Sequence, residues 1–445
     1  MSKKVYVQVY GCQMSERDGE SFGAMAESQG YLRTASREEA DLVVVTTCCV
    51  RESAENRIIG NIGQLRRWKA QRPGRMLVVA GCLVQQAGAL ERLRRRAPHV
   101  DIWMGAFDQA KFPDLLREAE GGAIVCAVSD QAGPPVEAAP LAEAGKLSAC
   151  VNIMYGCDNF CSYCVVPLVR GRERSRPPRD VLDEVRRLAE SGTREIVLLG
   201  QNVNSYGRSE NQPEDFAWLL RAVAREPGLW RVRFTTSHPK DLTDAVIAAV
   251  AEEAVICPHF HMPLQAGSDR VLKAMNRGYT TEYYLERVRA IRRAVPEARI
   301  STDLIAGFPG ETEEDFSETL RLMREIHFSQ AFTFMYSRRS GTAAADLPGQ
   351  LPREERLERL KRMMALQAEM SLAWRRAMVG SCQEVLVVGP SKRDPAMLSG
   401  QAAGGEAVVF AGREADVGTL APVVIREANS WTLFGVIDYE KREDV

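Results

Sequence analysis

The first 130 residues alternate short, β-branched apolar runs with amphipathic helical stretches, and this rhythm constrains the fold more than any other feature. The runs Val5–Tyr10, Asp41–Thr46 and Met76–Ala80 read as strands buried on both faces, as in a parallel sheet covered by helices. Each run is followed almost at once by a cysteine: Cys12, Cys48 and Cys82. In open parallel sheets ligands collect beyond the carboxyl ends of the strands. These three thiols are therefore expected to converge on one point, the alternative being ordinary buried packing. Cys49 competes with Cys48. Strand parity sends neighbouring side chains to opposite faces, so only one of the two is expected to enter the crevice.

A Pro-, Ala- and Gly-rich stretch follows and reads as a linker, residues 131–146. From there the β/α rhythm returns on a longer period. Expected strands are Ala149–Met154, Glu195–Gly200, Val232–Thr236, His259–Pro263, Arg299–Ala306 and Ala331–Tyr336. Helical patterns at Arg179–Ser191, Thr281–Ala294 and Glu313–Ile326 fill the intervals. Six such units with right-handed crossovers would curl into an incomplete (βα)6 barrel. A basic amphipathic segment, Pro352–Val379, leads to short strands at Glu384–Val388, Ala407–Phe410, Ala421–Ile425 and Trp431–Val436. Their Gly- and Pro-bearing turns suggest a small antiparallel barrel of the kind that binds oligonucleotides. The expected class is α/β in three parts: an α/β sandwich over 1–130, the barrel over 147–378 and the small barrel over 379–445.

In the loop after the first barrel strand lie Cys157, Cys161 and Cys164, spaced C-x-x-x-C-x-x-C. That loop opens on the face where barrel enzymes place their chemistry. Three thiolates can hold a [4Fe–4S] cluster by three irons and leave the fourth open to bind a small molecule. Structural zinc would want four protein ligands, and no fourth Cys or His is near in sequence.

Hydrophobic content of 45% and charge of 26% describe a globular chain, and no apolar run reaches the length of a membrane span. No secretory leader pattern precedes the first strand, so a cytoplasmic protein without a membrane partner is expected. Eleven cysteines in such a compartment point to metal binding or catalysis more than to disulfides. Cys126, Cys150, Cys257 and Cys382 have no partner at ligand spacing and read as packing residues. The five histidines are isolated. His238 and His261 could line the barrel mouth, though a structural role fits better.

A net charge of −1 excludes a global nucleic-acid signal, so RNA contact must come from local patches. Candidates are Arg92–Arg96, Arg170–Arg174 with Arg176 and Arg179, and Arg359–Arg362. A charge run is more often a solvated face, but arginine suits bidentate phosphate contacts.

The segment Cys157–Pro178 resembles the core of the radical S-adenosylmethionine (SAM) methylthiotransferases. Gly11-Cys-Gln-Met14, Thr47-Cys48 with Arg51-Glu-Ser-Ala-Glu55, and Gly81-Cys82 are similar to that family's N-terminal domain. Leu199-Gly-Gln-Asn-Val-Asn204, Phe234-Thr-Thr-Ser-His-Pro239, Pro263–Arg270 and Gly307-Phe-Pro-Gly-Glu-Thr312 continue the likeness over nearly the whole chain. The Gln-Met after Cys12 and the Arg-Glu after Cys48 look most like the branch that modifies isopentenyl-adenosine in tRNA. There are departures. Thr46 stands where the family has Asn, Cys49 where it has a smaller or polar residue, and Gly400–Glu406 where it has an Arg-bearing turn.

The resemblance implies two [4Fe–4S] clusters, one on Cys12, Cys48 and Cys82 and one on Cys157, Cys161 and Cys164, together with SAM. It implies that the C-terminal barrel is a TRAM RNA-binding domain. The implied reaction is radical methylthiolation at carbon-2 of isopentenyl-adenosine 37 in a tRNA anticodon loop. An electron donor such as a flavodoxin or ferredoxin, and a sulfur or cluster donor, are the implied partners. For SAM the expected contacts are Gln201 and Asn202 after the second barrel strand, with Ser237 and Asp303 at later strands; strand-end polar groups can also simply cap loops. Other outcomes are the same chemistry on another adenosine or a ribosomal protein, or a non-catalytic iron–sulfur RNA sensor.

Overall fold

The computed structural model describes residues 2–49, 52–131, 146–208 and 213–441. The stretch expected as a linker, 131–146, falls almost wholly outside the described residues, as does Arg51 of the Arg-Glu motif.

The fully buried runs Leu42–Thr47 and Met76–Gly81 form the middle of a six-stranded parallel sheet. Lys4–Val9 pairs with Leu42–Thr47 on one side and with Leu32–Arg33 on the other, while Ile102–Gly105 and Val125–Ala127 extend the far edge. The spatial order reverses direction at Lys4–Val9, making the gap between it and Leu42–Thr47 the switch point of a doubly wound sheet. Helix Gln13–Ser28 covers one face through Phe22 and Met25, and Glu52–Ala70 covers the other through Ile58, Ile62, Leu65 and Trp68.

The central domain has six parallel strands in chain order: Ser148–Asn152, Glu195–Leu199, Arg231–Phe234, His259–His261, Arg299–Ala306 and Gln330–Met335. Backbone hydrogen bonds such as Ser237 N to His261 O join the two halves, and the first and last strands remain edges, leaving the barrel open. Helix Arg353–Arg376 then leads to a closed five-stranded barrel. Its pairings are antiparallel except for Ala407–Ala411 with Thr432–Ile437.

The domains are fastened by buried arginines. Arg17 Nη2 and Arg176 Nη1 both donate to Glu184, at 2.5 and 2.7 Å, with all three side chains at most 5% exposed. At the barrel's opposite end, Arg231 Nη1 donates to Gln401 O at 2.6 Å, Arg233 to the carbonyls of Ala402 and Ala403, and Arg299 to Glu406. The Gly400–Glu406 turn is thus a dock onto the central domain.

Two sequence expectations are corrected here. Arg170, Arg176 and Arg359 are buried and ion-paired within the chain, so those parts of the basic stretches are not RNA-facing patches. Cys126 and Cys382 are exposed rather than packed, lying on the edge strand Val125–Ala127 and at the first residue of Cys382–Pro390.

Candidate active site

The three N-terminal cysteines come from adjacent strands. Cys12 precedes helix Gln13–Ser28, Cys48 follows Leu42–Thr47, and Cys82 opens the short helix Cys82–Gln85 directly after Met76–Gly81. Two glycines make room. Gly11 adopts φ +136°, and a Cβ there would lie 2.3 Å from Cys48 Cβ; a Cβ on Gly81 would lie 2.7 Å from Thr47 O. Both threonines pin the loops. Thr46 Oγ1 donates to Ser15 O at 3.2 Å and Thr47 Oγ1 to Ala80 O at 2.8 Å, so the Thr46 departure supplies its own anchor.

Cys48 hydrogen-bonds Cys12, which pulls the Cys12 thiol down to about 5 with help from the Arg170 charge. Cys49 hydrogen-bonds Cys82 and thereby holds the Cys82 thiol below its ordinary value, while its own thiol is pushed up by that bond and by burial. Cys48 thus faces Cys12 while the adjacent Cys49 faces Cys82, the strand having ended at Thr47.

Cys157, Cys161 and Cys164 lie on the loop after Met154–Tyr155. Gly156 N donates to Gln201 Oε1 and Cys157 N to Gly171 O at 3.1 Å, closing the base of the loop. Asn276, at φ 57°, donates through Nδ2 to Asn159 O and Phe160 O and clamps its tip. Arg277 is 4% exposed; its Nη1 donates to Cys161 Sγ at 3.2 Å and its Nη2 to Pro263 O at 2.7 Å. Burial pushes the Cys157 thiol up to about 11 and the Cys164 thiol to about 12. Metal must displace protons from Cys157 and Cys164, whereas Cys12 and Cys82 already lean toward thiolate.

The two sites share an interface. Val165 and Val169, just past Cys164, pack directly on Cys49 and Cys82. Arg170 Nε donates to Cys82 Sγ at 3.0 Å while its Nη atoms bind both oxygens of Asp18.

The four expected SAM contacts divide. Gln201 carries the Gly156 amide; Asn202 is buried, donating to Asp241 Oδ2 and accepting from His238 N. Ser237 is fully buried and its hydroxyl has no partner among the described residues. Asp303 stands 3.5 Å from His261 Nε2, its side chain 29% exposed. His238 Nε2 and both amide atoms of Asn204 are likewise buried without partners among the described residues. Burial, with Arg277 and Lys240 adding to it, keeps the His238 imidazole neutral. Buried polar groups are seldom left unpaired, so Ser237, Asn204 and His238 are the candidates here for contact with a polar ligand.

Cysteine thiolates in groups of three are the donor set that a [4Fe–4S] cluster takes. Among the described residues no three His, Cys, Asp or Glu side chains are placed to share one metal ion, but in a cubane each thiolate takes a different iron. Sequence reading missed Arg277, Asn276, Asp18 and Asn204. Of these only Asn204 stood inside a recognisable motif.

Family models match three stretches of the chain. Residues 151–323 match the radical SAM superfamily, 4–105 the uncharacterized protein family UPF0004, and 376–437 the TRAM domain. The chain is 54% identical over 433 residues to the tRNA-2-methylthio-N(6)-dimethylallyladenosine synthase of Desulfitobacterium hafniense (strain Y51), covering 97% of each. It is 47% identical over 436 residues to the protein of that name from Moorella thermoacetica, covering 97% of this chain and 98% of that one. Among solved structures it is similar in fold to the radical SAM methyltransferase TsrM from Kitasatospora setae, with TM-score 0.57 and 14% identity, covering 86% of this chain and 78% of that one.

Proposed function

The chain belongs to the tRNA-2-methylthio-N(6)-dimethylallyladenosine synthase family, and from that premise we propose that it methylthiolates carbon-2 of isopentenyl-adenosine 37 in tRNA. The carbon-2 hydrogen is neither acidic nor paired with a leaving group, so acid–base chemistry cannot replace it. When bound, SAM and two [4Fe–4S] clusters supply a 5′-deoxyadenosyl radical to take that hydrogen and a methylated sulfur to replace it.

Cys157, Cys161 and Cys164 would hold one cluster, and Cys12, Cys48 and Cys82 the other. Arg277 fixes Cys161 to the barrel mouth through Pro263 O and is a positioning residue. Gln201 and Asn202 shape the adjoining loops, leaving Ser237, Asn204 and Asp303 to receive the methionyl group of SAM. The neutral His238 can offer a hydrogen bond through Nε2 but no charge. An unpaired anticodon-loop base can be splayed into such a mouth. A low-potential electron donor and a sulfur donor complete the proposed partners.

The observation that carries this reading is the packing of Val165 and Val169 against Cys49 and Cys82, which sets the two cysteine groups on either side of one interface. The test is mass spectrometry of tRNA nucleosides from a strain lacking the gene. The 2-methylthio nucleoside should vanish and its isopentenyl precursor accumulate; an unchanged level would refute the substrate.

A further inference from the structure

On the reading that Cys12, Cys48 and Cys82 hold an iron–sulfur cluster, we infer that Arg170 is a positioning residue that sets that cluster's reduction potential from the segment carrying the other cluster. Three observations carry this. Arg170 Nε donates to Cys82 Sγ at 3.0 Å. Its Nη atoms are committed to both carboxylate oxygens of Asp18, a bidentate fork that fixes where Nε points. Both side chains are buried, at 7% and 5% exposure, so water screens the contact little.

Arg170 ends helix Val166–Arg170, which starts two residues after Cys164. One short stretch of chain thus carries three ligand cysteines at one end and a guanidinium on the opposite group at the other. Hydrogen bonds to the sulfurs are among the determinants of cluster potential. A donated N–H withdraws electron density from the thiolate, and a nearby cation favours the more negative, reduced state. Both effects raise the potential, and Asp18 tempers the second. Arg277 on Cys161 differs: the described partners of its guanidinium are a thiol, two phenols and a carbonyl, with no carboxylate.

An arginine serving only as an interdomain ion pair would leave the potential alone, and that is the distinguishing readout. The experiment uses the full-length chain with Cys157, Cys161 and Cys164 all changed to Ala, reconstituted and titrated electrochemically under electron paramagnetic resonance. R170Q should lower the midpoint by at least a tenfold change in the one-electron equilibrium, about 59 mV. R170K, which keeps the charge without the fork, should fall between. Should R170Q fail to fold, R170K, which keeps the charge but cannot hold the fork, still decides. Midpoints that superimpose on the parent at equal iron content overturn the inference. A parent that binds no iron overturns instead the assignment of Cys12, Cys48 and Cys82 as ligands.

Discussion

Replacing Gly11 by Ala should empty the N-terminal site while sparing the other. The added Cβ would sit 2.3 Å from Cys48 Cβ and 3.2 Å from its Sγ. Carbon atoms rest no closer than about 3.5 Å, so one partner must move by about 1.2 Å. Cys48 has nowhere to go: it is 3% exposed, and Thr46 and Thr47 bind the end of its fully buried strand to Ser15 O and Ala80 O. Overpacking of this kind costs about 1–3 kcal/mol. A non-glycine residue at φ +136° adds roughly another 1–3 kcal/mol. The strain falls on the backbone between two ligands, so iron binding should fail before folding does. Iron and sulfide per chain, measured after anaerobic reconstitution, should drop from about eight to about four of each, the remaining cluster being that of Cys157, Cys161 and Cys164. Gly30→Ala is the control. It also has positive φ, +87°, but nothing lies within 4 Å of its Cβ, so it should keep full iron. A Gly11→Ala protein with full iron would refute the convergence of Cys12 and Cys48.

In the metal-free protein Cys12 should be alkylated by iodoacetamide at a rate nearly flat from pH 6 to 8, because a thiol lowered to about 5 is already thiolate there. Cys157, pushed up to about 11, should gain tenfold per pH unit over the same range. Peptide mass spectrometry reads both, and a tenfold-per-unit rise at Cys12 contradicts the geometry. Glu184→Ala leaves two buried guanidinium groups without their shared carboxylate and should cost about 3–5 kcal/mol in the first urea transition. A loss under about 1 kcal/mol would mean that the domains are held together by something else.

The sequence conveyed the sheets wherever apolar runs were unbroken, as in Leu42–Thr47 and Met76–Gly81. It did not convey Leu398–Ala402, whose Ser-Gly-Gln interior lacks an apolar period, nor Ile102–Gly105 and Val125–Ala127, too short to register one. The cysteine groups were legible because ligand spacing and strand ends are local properties. The buried arginines were not. Whether Arg170 meets solvent or Asp18 is decided by a residue 152 positions away, and from sequence alone a guanidinium inside an interface reads like one on a solvated face. Cys49 eluded the pattern for a related reason: its direction is set by a loop, where no period operates.

The division of labour between the two cysteine groups is tested most directly by one product assay. An anticodon stem–loop RNA carrying isopentenyl-adenosine is incubated anaerobically with reductant, SAM and reconstituted enzyme, and 5′-deoxyadenosine and methylthiolated nucleoside are counted together. Cys12→Ala should still release 5′-deoxyadenosine yet form no methylthio product, and Cys157→Ala should form neither. Full methylthiolation by Cys12→Ala would contradict the account.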